Sequence, residues 1–189
     1  MSFTSIDLCS RALIKIGAKS IASFNENCAE AKVSEQLYTP TVEGILSAYP
    51  WRFATAQKQL ARLNQSPAGD FKYAYALPND FLRAISAGPV GIGKGLIYRI
   101  IGTQLHTDSE SVLLTYLFKP DEGDFPPFFA HMLISVLAAE FCLPLTESTA
   151  RTEHLHKMAT QNLNNAKHID AQQSVPSSFQ DFSLIEVRR

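Results

Sequence analysis

The chain has 189 residues, 46% of them apolar and 19% charged, which is the size and composition of one globular domain, or one domain with an insertion, and not of a disordered segment. Seventeen basic and eighteen acidic side chains leave a formal charge of -1 with no strong basic stripe. Counterion release, which drives non-specific nucleic-acid binding, therefore has no obvious source, and direct DNA or RNA binding is disfavoured.

The opening stretch MSFTSIDLCS lacks a basic region followed by an apolar run, so no secretory leader is expected and the protein should stay where it is made or be packaged from there. Cys9, Cys28 and Cys142 are odd in number, far apart and without a CxxC pair. That is the usage of a reducing compartment, and all three are expected as small buried hydrophobes. Residues 4–17 place Ile6, Cys9, Leu13 and Ile16 at steps of three and four, with Thr4 and Asp7 as a cap pair and Gly17 as a stop, which predicts a first helix. Between 27 and 49, Cys28, Ala31, Tyr38, Val42, Ile45 and Tyr49 alternate three- and four-residue steps, Glu35 fills the missing place, and Asn27 with Glu30 has capping spacing. A second helix follows from this, with a kink or split near Tyr38 to Thr41 because Pro40 removes a hydrogen bond and clashes with the preceding turn.

At Pro50 and Trp51, the only tryptophan, the pattern changes. Residues 53–63 tolerate either period and are read as strand; 73–78, 96–102, 103–107 and 111–118 are rich in Tyr, Ile, Leu, Val and Thr between turn-forming clusters, the mark of short antiparallel strands. The glycine-rich run at 88–98 could suggest a phosphate-cradling loop. It lacks both the helix that a dinucleotide fingerprint needs and the Gly-Lys-Ser/Thr of a Walker loop, so it reads as a loop between strands. The longest apolar segment, 126–145, is interrupted by His131, Ser135 and Glu140 and bracketed by Pro126, Pro127 and Pro144. It falls short of the roughly 20 apolar residues of a bilayer span and is read as the central helix of a bundle, with no membrane partner. Residues 149–173 return to helical spacing through Leu155, Met158, Asn162, Ala166 and Ile169. The sum is an α+β fold, mainly helical: a four-helix bundle (1–50 and 124–173) with an inserted small antiparallel β module (51–123), and a C-terminal tail at 174–189. Pro50, Trp51 and Phe53 then form the seam, with Trp51 buried in the groove between bundle and sheet.

Chemistry finds few candidates. His154 and His156 point in different directions on a helix, and Glu153 with His156 has ligand spacing but nothing to complete a site, so no metal and no cofactor is expected. His131 and Glu140 lie on nearly the same helical face and are expected in a bundle-core hydrogen bond or a subunit contact. Asp121, Glu122 and Asp124 suit turn formation before Pro126, and no nucleophile elbow or zinc-protease motif occurs, so no catalytic residue is assigned. Two alternatives remain. A glycan hydrolase would need a carboxylate pair about 5 to 9 Å apart, for which Asp80, Glu122, Asp124 and Glu140 are the candidates; a small binding module would show an aromatic-lined pocket with convergent polar groups.

Several stretches, 11–26, 37–54, 75–84 and 101–118 followed by 128–148, resemble in order, spacing and overall length the tail tubular protein A family, the head-to-tail adaptors or gatekeepers of short-tailed bacteriophages. The most specific are Ala12 to Gly17, the Pro50-Trp51-x-Phe53-Ala54 junction and Leu77-Pro78-x-Asp80-x-Leu82-Arg83. The chain departs from the family pattern at Thr41 and Val42, where an arginine is frequent, and at Arg52, where a small polar residue is favoured. The resemblance implies a structural virion protein at the head-tail junction, present in the host cytoplasm during assembly. It implies a ring, dodecameric in the virion, between portal protein and tail nozzle protein, with DNA only passing through its lumen.

The tail begins as a Ser- and Pro-rich linker and then carries Phe179, Phe182, Leu184, Ile185 and Val187, closed by Arg188 and Arg189. An apolar set on a tether is expected to dock on a portal or neighbouring subunit; the alternative is that it folds back on its own β module.

Overall fold

The structure, a computed structural model, describes residues 3–65, 67 and 69–173. It contains four helices and two small antiparallel sheets, an α+β arrangement. Helix α1 (Ser5–Ile16) starts where expected: Thr4 Oγ1 accepts from the Asp7 backbone N–H at 3.1 Å and the Asp7 carboxylate accepts from the Thr4 N–H at 3.2 Å. The Thr4 hydroxyl, which donates to the Asp7 carboxylate at 2.7 Å, and then the Thr4 N–H hold the Asp7 carboxyl below the usual carboxylate range. Gly17, at φ 78°, ends the helix in the left-handed conformation that glycine adopts without steric cost.

Helix α2 (Ala29–Ala48) differs from expectation at its start and in its buried stripe. It starts after Cys28 with no side-chain cap, since the preceding loop is tied instead by Glu26, whose Oε1 accepts from the N–H groups of Ala22 and Ser23. It also runs unbroken through Pro40. Pro40 and Gln36, whose carbonyl loses its partner, are both exposed, so water can satisfy that oxygen and the helix is not split. The buried stripe is Ala31, Ser34, Tyr38, Val42 and Leu46 rather than a strict alternation ending on Ile45 and Tyr49. A straight helix of 3.6 residues per turn drifts away from a 3.5-residue repeat, which moves the inward positions to Ser34 and Leu46.

Helix α3 (Pro127–Thr146) is central as expected: α1, α2 and α4 (Thr149–Ala171) each pack on it, α4 most extensively. Leu133, Leu137 and Phe141 have no exposed surface. Among the described residues α3 is the one helix long and apolar enough to cross a membrane, and 61% of that span is buried inside the fold. Pro144 lies in its last turn rather than beyond its end, and Glu147 at φ 52° caps it before the short connection to α4. His131 and Glu140 are both exposed, so of the two expectations for them the bundle-core hydrogen bond is corrected and the subunit contact belongs to the assembly proposed below. The inward face of α4 is Thr152, Leu155, Ala159, Leu163, Ala166 and Asp170; Met158 and Ile169 are each 44% exposed. Both stripes have helical spacing, so period alone does not choose the phase; small side chains on the inner one let α4 approach α3 closely.

The strands are β1 (Thr55–Gln59), β2 (Tyr73–Ala76), β3 (Phe81–Gly88), β4 (Tyr98–Ile101), β5 (Gln104–Thr107) and β6 (Leu113–Phe118). They form one sheet in the order β1-β6-β3 and a second in the order β2-β5-β4, all pairs antiparallel. Strand β3 was not predicted, and the reason is physical: Phe-Leu-Arg-Ala-Ile-Ser-Ala-Gly mixes weak strand formers with register shifts between Phe81 and Arg83 and between Ala84 and Ser86, which destroy a clean alternation. The two sheets share a small core of Leu60, Tyr75, Leu105, Val112, Leu114 and Tyr116. Beyond β3 the glycine-rich run folds back tightly: any side chain at Gly88 would collide with the backbone of Gly93 and Lys94, and the Gly93 N–H donates to Pro89 O at 3.1 Å.

Candidate functional site

The chain passes from helices to sheets through residues 49–53 and returns through 125–129, and the two passages meet in an aromatic cluster. Trp51 has no exposed surface, and its indole N–H donates to the Ile45 carbonyl at 3.0 Å, so its one polar atom is satisfied. Its ring stands edge-on to Phe129 at 5.1 Å and to Tyr49 at 4.8 Å, while Phe53 lies 4.8 Å from Phe129 and 6.3 Å from Phe125. Trp51 thereby belongs to the core around α3, and Phe53, partly buried, continues the cluster toward β1. Thr55 Oγ1 donates to Trp51 O at 2.6 Å and tightens the turn into β1.

A buried carboxylate completes this junction. Asp170 of α4 is 1% exposed, and both its oxygens lie 3.2 Å from the Arg52 N–H. Burial raises its carboxyl above the usual range, opposed by the Arg52 N–H bond and the Arg52 charge. One turn earlier on α4, Lys167 O accepts from Tyr49 OH at 3.5 Å, and the Lys167 ammonium lies 5.5 Å from the Tyr49 ring centre. Sequence reasoning missed Asp170. Its only signal was an acidic residue one place beyond the last predicted apolar position of the helix.

Beside the junction is a depression of about 480 Å³ lined by Tyr49, Pro50, Arg52, Thr55, Gln57, Ile85 and Thr115. Two smaller ones lie near Pro78 and Gly102, at about 370 Å³, and between α1, α3 and α4 at Lys15, His154 and Met158, at about 240 Å³. The last adjoins a polar node also missed from sequence. Ser135 Oγ accepts from Lys15 Nζ at 2.8 Å and from Asn162 Nδ2 at 2.9 Å and donates to His131 O at 3.1 Å, tying three helices at one hydroxyl. Desolvation lowers the Lys15 ammonium pKa. A serine inside the most apolar helix was the available signal.

Of the carboxylates nominated for glycan hydrolysis, Glu122 and Asp124 share one short turn, Asp80 lies in the turn before β3 and Glu140 on α3, and none lines any of the three depressions. The Asp80 carboxylate accepts from Tyr116 OH at 3.3 Å and Glu122 Oε1 from Tyr38 OH at 3.1 Å, while Asp124 and Glu140 are exposed. Among the described residues no three His, Cys, Asp or Glu side chains come together as a metal site. His154 and His156 are exposed with Glu153. Cys9 and Cys142 are buried as expected, whereas Cys28 is half-buried; desolvation pushes the Cys9 thiol up to about 12, far from nucleophilic use.

No family model matches the chain, and no curated protein matches it either. Phe179, Phe182, Leu184, Ile185, Val187, Arg188 and Arg189 lie outside the described residues.

Proposed function

We propose that this chain is a structural adaptor of the tail tubular protein A type, which assembles into a ring, dodecameric in the virion, between the portal protein and the tail nozzle protein at the head-tail junction. Its action is to present a fixed shape to two neighbours rather than to turn over a substrate, and DNA passes through the lumen without sequence readout. In this reading α1, α2 and α4 around α3 serve as a four-helix bundle from which the β module projects.

The observation that carries it is where the three family-like stretches fall. Ala12 to Gly17 forms the end and cap of α1, Pro50 to Ala54 forms the aromatic junction, and Leu77 to Arg83 forms the turn between β2 and β3 with Asp80 bonded to Tyr116. Pro50 to Ala54 and Leu77 to Arg83 lie where the chain enters the sheets and turns between strands, while Ala12 to Gly17 belongs to the packing of α1 on α3 and α2; the three stretches border three separate depressions and do not build one common cleft. Subunits should be monomers or weak oligomers when free and close a ring cooperatively on a symmetric platform, since early closure would block addition in register. Electron microscopy of the purified chain with a portal ring from the same phage tests this: a stacked ring is expected, and a portal that stays bare at high adaptor concentration would overturn the assignment.

A further inference from the structure

We propose that the depression beside Pro50 and Arg52 is the seat of the chain's own C-terminal segment, residues 174–189, which docks there in the free subunit along the open edge of β1. This concerns the isolated chain and does not depend on the adaptor assignment.

Four observations converge. First, the end of α4 is fastened to the rim of the depression. Lys167 meets Tyr49 and, one turn later, Asp170 meets Arg52, and Tyr49 and Arg52 both line it. The helix ends at Ala171, so the chain leaves it within one turn of that contact. Second, Phe179 lies six positions beyond Gln173, a reach of roughly 20 Å when extended. The floor of the depression spans β1, β6 and β3, about 10 Å across at the usual strand spacing. The tether is long enough, and the seat is at its starting point.

Third, the seat can take a strand. β1 is an edge of its sheet, paired only with β6, so half of its backbone N–H and C=O groups have no ladder partner. Residues 182–187, Phe-Ser-Leu-Ile-Glu-Val, are rich in strand formers. Fourth, the chemistry is complementary. Pro50 and the ring of Tyr49 offer apolar surface beside β1 to Phe182 and Leu184, and the 40% exposed Ile85 on β3, at the far side of the floor, offers it to Phe179 on the tether that crosses the depression. The Arg52 side chain has no ion-pair partner among the described residues, and the segment proposed for the seat carries Asp181 and Glu186 ahead of its terminal Arg188 and Arg189.

The test uses the full chain and two readouts. Chymotrypsin cleavage after Phe179, Phe182 and Leu184 is followed by intact mass, and hydrogen exchange is followed at the amides of Thr55–Gln59. In the wild type both should be slow and independent of protein concentration across a wide dilution series. Arg52→Glu and Ile85→Asp, on exposed side chains, should each speed cleavage roughly tenfold, the shift in open population from losing about 1.4 kcal/mol of contact. Phe182→Asp should raise exchange along β1 while the amides of α3 keep their protection. Protection that disappears on dilution would place a second copy's tail in the seat and overturn docking within the subunit. Cleavage as fast in the wild type as in Arg52→Glu would show the seat empty and overturn the proposal altogether.

Discussion

The helical layer and the β module are built on opposite plans. Around α3 the core is broad and mostly apolar, with leucines, phenylalanines and Trp51 fully buried and polar side chains buried at Ser34, Ser135, Thr152 and Asp170. The β module has a small core in which tyrosines carry much of the volume and are anchored at their hydroxyls, Tyr75 to Ser109 O at 2.7 Å and Tyr116 to Asp80. It also leaves Ile92, Ile97 and Ile101 more than half exposed. Burial drives stability while directed hydrogen bonds select one geometry, so the contrast separates a stable platform from a shaped attachment. The β module should open at lower free energy than the helices, and the aromatic junction should be where the two are coupled.

Removing that coupling gives the largest effect. Trp51→Ala should cost about 3 to 5 kcal/mol in urea denaturation, the range for large aromatic truncations in cores, and should lower protection in both regions. A melt identical to the parent would dissolve the idea of a shared junction. Leu114→Ala, in the small core, should cost about 2 to 3 kcal/mol locally. Hydrogen exchange should accelerate across β1, β3 and β6 while α3 stays protected; equal loss in α3 would show one cooperative unit instead of two.

Asp170→Ala leaves the Arg52 N–H unpaired and should cost about 1 to 3 kcal/mol. The pH dependence sharpens this. Because burial raises the folded-state pKa of Asp170, the folded state binds more protons than the unfolded chain between the ordinary Asp value and the raised one, and this residue's contribution falls as pH rises through that window. Asp7 acts in the opposite sense, contributing above its ordinary value and losing that contribution as pH drops through its lowered one. Asp170→Asn should therefore flatten the loss of stability on the alkaline side of the window, as measured by urea melts over a pH series. The smallest effect expected is Tyr116→Phe, about 1 kcal/mol from one hydrogen bond to a carboxylate, visible as faster exchange at the turn between β2 and β3 with little change in midpoint.

The helices were legible because their signals are local. The Thr4 and Asp7 pair, Gly17, and the proline entry at Pro126 and Pro127 act within one turn, and an apolar run such as 127–143 can only be buried. Five of six strands were legible from composition, and β3 was not, because its pairing with β6 through two register shifts is a property of the partner strand. The phase of α4 was misjudged at Ile169 and Asp170 for a related reason. Two stripes of similar period compete there, and the winner is decided by α3 and by an N–H of Arg52 more than a hundred residues away in the chain.

What the sequence determined by itself was the kind and order of the elements other than β3, the loop at the glycine-rich run, and the change of plan at Pro50 and Trp51. Each rests on backbone preferences and hydrophobic spacing that operate over a few residues. What only the tertiary structure decided was the joining of 49–53 to 125–129 through Trp51, Phe53 and Phe129, the burial of Asp170 against Arg52, and the placing of the α4 exit beside the depression on β1. Those contacts link positions far apart in the chain. Their free energy comes from desolvating rings and satisfying a buried N–H, which no window of sequence contains.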